Sequence, residues 1–378
     1  MNKTNVFKFV DLFAGCGGLS LGLEQAGFTP WFVNELVEQY CNTYKRNHTL
    51  GDEHYFVGDI TELNNQISQY SSLLADITLV CGGPPCQGFS TANRQPLLDD
   101  PRNSLYKEYL RFLGYIKPKL FVMENVKGMK SKIDEILEDF RKHLGDEYQY
   151  GYSILRAQDF GVPQNRERFI LIGNRIGVSP SEIFSKIEDL HRPAFVLKDA
   201  LEGLPPLLPK KEKGRKNIEN KDSGYTECPF IYVLSDFYRF INGDRTITRL
   251  YNHKNRYNNE RDIEIYRRLP QGANSLHPSI VDIMPYKRRS SIFKDKYFKL
   301  DENEICKTIT SHMRFDCNMY IHPKETRGLS PREAARLQTF PDDYVFMGSQ
   351  NSWYAQIGNA VPVKLAEAIG KAIMSFLV

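Results

Sequence analysis

No stretch of this sequence comes near the roughly 20 consecutive apolar residues that a bilayer-spanning helix requires, so no membrane span is expected. The opening residues, MNKTNVFKFVDLFAG, lack the charged, apolar and small-residue regions of a signal peptide, which predicts a cytoplasmic protein. Cysteine is sparse and badly placed for cross-linking. The seven residues, Cys16, Cys41, Cys81, Cys86, Cys228, Cys306 and Cys317, are odd in number and contain no C-x-x-C pair, which argues against a disulfide framework and a structural zinc site. Nor is there a charge excess of one sign: 50 Lys+Arg stand against 46 Asp+Glu, a net +4. The distribution is less even, because residues 201–300 hold 20 Lys+Arg and 12 Asp+Glu, or +8, leaving −4 for the rest. A locally basic segment can meet a polyanion, although a solvated surface accounts for eight charges nearly as well. What remains is an ordinary globular composition, 41% hydrophobic and 25% charged over 378 residues, enough for one large domain and a smaller one.

The first half alternates between two periodicities. VFKFVDLF at 6–13 reads as a buried strand, the glycines of AGCGG at 14–18 as a turn, and the residues to about Ala26 as a helix closed by Gly27. Further strands are expected at 31–34, 55–57, 76–80, 120–123 and 169–172, with a helix at 105–116. Strands alternating with helices predict an α/β fold with a parallel sheet covered on both faces. The pattern changes near residue 190. The Pro-, Lys- and Gly-rich stretch at 204–224 reads as an exposed connection, and 225–325 as a separate irregular domain. Order returns with Ser330-Pro331-Arg332-Glu333, a capping box with proline at the first helical position, and Val363–Leu377 has apolar residues at helical spacing.

Several residues in this frame invite chemistry. A glycine turn between strand and helix lets backbone N–H groups approach a ligand, although a strand-to-helix turn with no ligand is a fair alternative. Glu35 lies 20 residues after Gly15 at the end of the next strand, where an acid can bind ribose hydroxyls. The spacing Gly15-x-Gly17-Gly18 lacks the third glycine of a dinucleotide fingerprint, so a nucleoside-containing ligand fits better than a dinucleotide. Asp59 reads as an adenine acceptor or, more simply, as a helix cap. Cys86 sits in the Gly/Pro-rich loop CGGPPC after a strand end, where open parallel sheets place their ligands, and a thiolate held there is a nucleophile. Glu124 ends a strand of the same sheet. Arg166 and Arg168 share one side of the extended segment QNRER.

Together these segments resemble the DNA (cytosine-5)-methyltransferases over nearly the whole chain. The match lies in DLFAGCGG at 11–18, GGPPCQGFS at 82–90, ENV at 124–126, QNRER at 164–168, RGLSPREAARLQTFP at 327–341 and GNAVP at 358–362, in the family's order. The resemblance implies a Rossmann-like sheet that binds S-adenosylmethionine, formed by 1–190 and completed by 352–378, with a smaller irregular target-recognition domain at 191–351. It implies that Phe13, Gly15, Gly17, Gly18 and Pro84 line the cofactor pocket, that Glu35 holds the ribose and Asp59 and Ile60 the adenine, and that Asn359 and Val361 close the site. It further implies that Cys86 adds to carbon 6 of a cytosine extruded from double-stranded DNA, with Glu124 at ring nitrogen 3 and Arg166 at the carbonyl oxygen; Arg168 is the other catalytic arginine candidate. Gln87 and Ser90, in the loop after Cys86, together with Arg239, Arg245, Arg249, Arg256 and Arg288, are candidate DNA contacts.

A tRNA cytosine methyltransferase would share the same catalytic segments. The Cys-Phe-Thr signature that such enzymes resemble is not found here, and the variable basic stretch of more than a hundred residues suits sequence-selective duplex DNA. A nicotinamide oxidoreductase would account for the glycine turn and Glu35 but leaves GGPPCQGFS, ENV and 327–341 unexplained. The resemblance is to a prokaryotic modification enzyme that works alongside a cognate restriction endonuclease without stable association.

Overall fold

The computed structural model describes residues 6–85, 105–212, 219–285 and 295–378. The chain divides into two compact units, one of residues 1–161, 166–193 and 360–378, the other of 162–165 and 194–359.

The first unit is built on strands β1 (Lys8–Leu12), β2 (Thr29–Glu35), β3 (Tyr55–Val57), β4 (Leu79–Gly82), β5 (Leu120–Val126) and β6 (Gln149–Arg156). A two-residue strand β7 (Gln164–Asn165) belongs to the second unit, and β8 (Glu167–Asn174) completes the sheet. The strand order is β3-β2-β1-β4-β5-β8-β6. Neighbours from β3 to β5 are parallel, whereas β8 runs antiparallel to both β5 and β6. The sheet is therefore mixed, not wholly parallel as the alternation predicted. The reason is chain length. Ten residues separate β6 from β8, too few for the crossover that a parallel pair requires. Strand β6, whose glycine and tyrosines interrupt any apolar run, is also absent from the sequence reading.

Helices α1 (Gly18–Gln25), α2 (Glu38–Asn47), α3 (Ile60–Asn65), α4 (Leu105–Ile116), α5 (Ile133–Leu144) and α6 (Pro180–Glu188) belong to this unit. Helix α4 buries Tyr106, Tyr109, Leu110, Phe112 and Leu113 in the same core as Val10, Val80, Phe121 and Met123 of the sheet. Because β1, β2, β3, β4 and β5 are parallel, their C-terminal ends share one edge. The order reverses between β1 and β4, the place where such sheets bind ligands.

The second unit holds α7 (Leu197–Leu201), β9 (Gly224–Pro229), α8 (Asp236–Asn242), β10 (Arg249–Lys254), α9 (Glu260–Arg268), β11 (Cys306–Lys307), α10 (Pro331–Leu337) and α11 (Gln350–Asn359). Its regular structure is short: β9 and β10 form an antiparallel pair, and β11 pairs in parallel with β7. The capping box is present, with Glu333 N–H donating to Ser330 Oγ (3.2 Å) and Ser330 N–H donating to the Glu333 carboxylate (2.6 Å). The chain then returns to the first unit as α12 (Val363–Met374), which packs on α1. Glycine makes that approach possible: a Cβ on Gly22 would lie 2.4 Å from Ala366 Cβ. Among the described residues no helix is long and apolar enough to cross a membrane.

Candidate active site

The glycine turn after β1 is held from the neighbouring strand. Phe13, Gly15 and Gly17 all have positive φ (58°, 58° and 84°), a backbone region in which a phenylalanine is costly and a glycine is at ease. Ala14 N–H donates to Asn34 O (3.1 Å) and Gly15 N–H to Glu35 Oε2 (2.8 Å), while the other carboxylate oxygen of Glu35 accepts from Val37 N–H (2.8 Å). Glu35 is buried, and burial raises its pKa despite these two donors. Asn34 extends the link sideways, donating to Phe56 O (3.2 Å) in β3 and to Gly58 O (2.9 Å) just after it. Asp59 is indeed a cap, its Oδ1 accepting from Thr61 N–H (2.7 Å) at the start of α3. Ile60, read as an adenine contact, has its side chain buried in the core, so only its backbone can serve a ligand. A glycine-lined backbone turn with an acid at the end of each of the next two strands, and no basic side chain among these contacts, fits a nucleoside carrying a sulfonium better than a phosphorylated one.

Beneath the turn lies a buried polar chain that the sequence reading missed. Ser20 Oγ donates to Asp11 Oδ2 (2.6 Å), and Tyr44 OH donates to Ser20 Oγ (2.8 Å). Burial pushes the Asp11 carboxyl up to about 7, with Ser20 acting in the opposite sense. Its only sequence signal was an acid inside an otherwise apolar strand.

The end of β4 meets the end of β5. Gly82 is required by backbone approach, since a Cβ there would lie 2.5 Å from Leu12 O. A Cβ on Gly83 would come within 2.9 Å of Glu124 Oε2, so the Glu124 carboxylate lies against the loop that leads to Cys86. Asn125 Nδ2 donates to Pro84 O (2.8 Å) and ties the same loop to β5. Both Asn125 and Pro84 are buried. Cys86, Gln87 and Ser90 lie outside the described residues, as does Arg288.

The two arginines of QNRER separate by depth. Arg168 Nε stands 2.6 Å from Glu124 Oε1, each side chain 12% exposed, and Arg168 Nη1 also donates to Glu167 O (2.8 Å). Burial lowers the Arg168 pKa while Glu124 raises it. Arg166 is 1% exposed and donates from Nη2 to Ala360 O (2.9 Å), while its own carbonyl accepts from Ala157 N–H (2.8 Å). Arg166 is thus buried against Ala360, and Arg168 is the one of the two that pairs with Glu124. The rest of the segment turns the other way. Gln164 Nε2 donates to Leu337 O (3.0 Å) and Gln338 Oε1 (2.9 Å) within the second unit.

In GNAVP, Gly358 admits no side chain, because a Cβ would lie 2.2 Å from the backbone of Thr310 and Ser311. Asn359 is exposed at the end of α11, and Val361 is buried in the first unit. Among the DNA candidates, Arg239 is exposed, Arg245 makes a two-pronged pair with Asp343 (2.7 and 3.2 Å) and Arg249 stands 3.5 Å from Glu227. Arg256 departs from expectation. Its guanidinium donates to the carbonyls of Met313 (2.7 Å), Arg314 (3.3 Å) and Phe315 (3.1 Å) and to Asn351 Oδ1 (3.3 Å), so it braces a turn instead of offering its donors to a ligand.

Comparison with known proteins agrees with this architecture. The family described as C-5 cytosine-specific DNA methylase matches residues 7–375. The type II methyltransferase M1.HphI of Haemophilus parahaemolyticus is 33% identical over 374 residues, covering 97% of this chain and 86% of its own. The type II methyltransferase M.NgoFVII of Neisseria gonorrhoeae is 30% identical over 383 residues, covering 99% and 88%. Among solved structures, a protein described as a prophage-encoded DNA modification methyltransferase of E. coli superposes with a TM-score of 0.76 at 26% identity, covering 98% of this chain and 99% of that one. The Dnmt2 methyltransferase of S. pombe shares the fold, with a TM-score of 0.57 at 16% identity over 99% of each chain.

Proposed function

The chain belongs to the C-5 cytosine-specific DNA methylase family and is a DNA cytosine-5 methyltransferase of the type II restriction–modification kind that uses S-adenosylmethionine; from that premise we propose that it works through a covalent bond between Cys86 and a cytosine flipped out of the duplex. The observation that carries the reading is the Glu124–Arg168 pair lying against Gly83, three residues before that cysteine, with Asn125 bonded to Pro84 beside it.

Carbon 5 of cytosine is a weak nucleophile. The Cys86 thiolate adds to carbon 6, forming an S–C6 bond and moving the ring electrons toward carbon 5 and nitrogen 3. Glu124, carrying a proton, donates it to nitrogen 3 as charge develops there, and Arg168 holds the Glu124 carboxyl group in place while its remaining donors face the carbonyl oxygen. Bound S-adenosylmethionine would supply the electrophilic methyl group that carbon 5 takes up, the S–CH3 electrons remaining on its sulfur as a neutral thioether. Loss of the carbon 5 proton to a base then breaks the S–C6 bond and frees the thiolate. Ring atoms inside a stack are out of reach of a side chain, which is why the cytosine leaves the helix. Gly15 and Glu35 hold the nucleoside part of the cofactor, with Asp59 at the adenine. The second unit, with Arg239, Arg245 and Arg249, selects the target sequence. The enzyme acts in the cytoplasm and protects DNA from a cognate endonuclease.

Bisulfite sequencing of plasmid DNA from cells expressing the protein identifies the modified site. A duplex with 5-fluorocytosine at that site, incubated with S-adenosylmethionine, is then expected to trap the wild-type chain covalently and to leave Cys86→Ser free. Absence of a trapped species from the wild type overturns the covalent mechanism. Methyl transfer to tRNA, with none to duplex DNA, would reassign the substrate.

A further inference from the structure

We propose that the turn ending at Phe315 is a DNA contact in which the Phe315 ring packs against nucleobases and Arg314 neutralises a neighbouring phosphate. The inference rests on duplex DNA being the substrate, and it assigns a contact that the sequence reading did not contain.

Phe315 is the only exposed phenylalanine among the described residues, with 62% of its surface open. A ring so exposed contributes little to the core, and its immediate surroundings are basic. The Arg314 guanidinium lies 4.5 Å from the ring centroid and the His312 ring 5.4 Å away, and both side chains are exposed. An aromatic face with a stacked guanidinium is the combination that binds nucleic acid, the ring through bases and the cation through phosphates. The nearby acid is compensated: Asp316 pairs with Lys296 (2.9 Å) and stands 4.0 Å from His312 Nε2.

The turn is also held rigid, which a presented wedge requires. On its inner side Met313 and Cys317 are fully buried. Arg256 clamps three successive carbonyls, those of Met313, Arg314 and Phe315, and its guanidinium sits 5.5 Å from the Tyr354 ring. Arg256, a poor DNA contact by itself, thereby becomes the positioning residue of one. The start of the turn is packed on Gly358, and the strand that leads into it, β11, pairs with β7, whose last residue precedes Arg166 in the chain.

The test uses the full-length protein and a mixed-sequence 30-base-pair duplex, with binding followed by fluorescence anisotropy across a salt series. Phe315→Ala is expected to weaken binding about 10-fold with an unchanged salt slope, since stacking carries no counterions. Arg314→Ala is expected to reduce the salt slope by about one. Both variants should bind S-adenosylmethionine as the wild type does. Phe315→Trp places an indole on the tip, and its emission should be quenched when the duplex is added. Unchanged affinity in Phe315→Ala, or no quenching in Phe315→Trp under conditions where anisotropy shows binding, overturns the proposal. If Phe315→Ala does not fold, the quenching measurement decides alone. A wild type that binds and methylates no duplex DNA would instead refute the premise.

Discussion

Acidification from pH 7 to pH 5 should weaken one unit and strengthen the other, because buried titratable groups of opposite sign sit in each. In the second unit, burial lowers His253 to about 4 and His322 to about 3. The hydrogen bonds show why both stay neutral. His253 Nε2–H donates to Pro205 O (2.7 Å) and Nδ1 faces Ser330 Oγ (3.0 Å), while His322 Nδ1 accepts from the N–H groups of Lys324 (3.2 Å) and Glu325 (2.9 Å). A proton on His322 Nδ1 would point at two donors. A histidine whose folded pKa lies below the unfolded value of roughly 6.5 binds its proton more readily when unfolded, so its stability contribution is complete above 6.5 and falls as pH drops toward the folded value. With the values above, each histidine costs about 2 kcal/mol between pH 7 and pH 5, and the pair about 4 kcal/mol. Asp11 has the opposite sign. Its folded pKa of about 7 lies above the carboxylate reference of 3.8, so it takes up a proton on folding across the same interval. The first unit therefore gains about 2 kcal/mol from it.

The two tryptophans report the units separately, since Trp31 lies in the first and Trp353 in the second. Urea unfolding followed by emission in Trp31→Phe (reporting through Trp353) and in Trp353→Phe (reporting through Trp31) is expected to give opposite midpoint shifts on going to pH 5. The shift should be about 1 M or more downward for the second unit and upward for the first. His253→Gln can still donate to Pro205 but cannot gain a proton, and it should remove about half of the second unit's acid loss. Midpoints that move together, or a second unit indifferent to pH, would refute the burial argument for these groups.

Two further predictions follow from the site. Glu35→Gln keeps the size of the side chain but can accept from only one of Gly15 N–H and Val37 N–H, and should weaken S-adenosylmethionine binding about 10-fold by calorimetry while leaving duplex binding unchanged. Arg168→Lys keeps a cation beside Glu124 but loses the planar fork, and should lower the single-turnover methylation rate about 100-fold with little change in melting temperature, whereas Arg166→Ala, which opens a cavity and removes the donor to the Ala360 carbonyl, should lower stability by about 3 kcal/mol. A larger rate defect in Arg166→Ala, with stability intact, would restore the role first read from the sequence.

The contrast between these arginines shows where sequence reasoning holds and where it stops. Segments whose signal is local were legible. The capping box at Ser330, the glycine turn at 14–18, the helix Leu105–Ile116 and the cap at Asp59 each depend on residues within a few positions of one another. The acid 20 residues after Gly15 was also legible, and the structure supplies a reason the spacing matters: Glu35 bonds the N–H of Gly15 itself, because parallel neighbours bring those two strand ends together. Depth was not legible. A two-residue period puts Arg166 and Arg168 on one side of an extended segment, yet it cannot say that one is sealed against Ala360 and the other pairs with Glu124. The same limit hid Arg256, whose exposed-looking sequence context conceals a guanidinium committed to three carbonyls. It also hid Arg327, which is fully buried and forms a two-pronged pair with Glu333 (2.7 and 2.6 Å), the residue read only as half of a capping box. Neighbouring sequence does not reveal that an arginine is buried: Arg166 and Arg256 bond backbone carbonyls, which every residue carries, and an acid six positions from Arg327 is no signal of depth. Counting basic residues in the variable region therefore overstates how many can reach DNA. Among the outward-pointing residues there is a phenylalanine, Phe315, which no charge count includes.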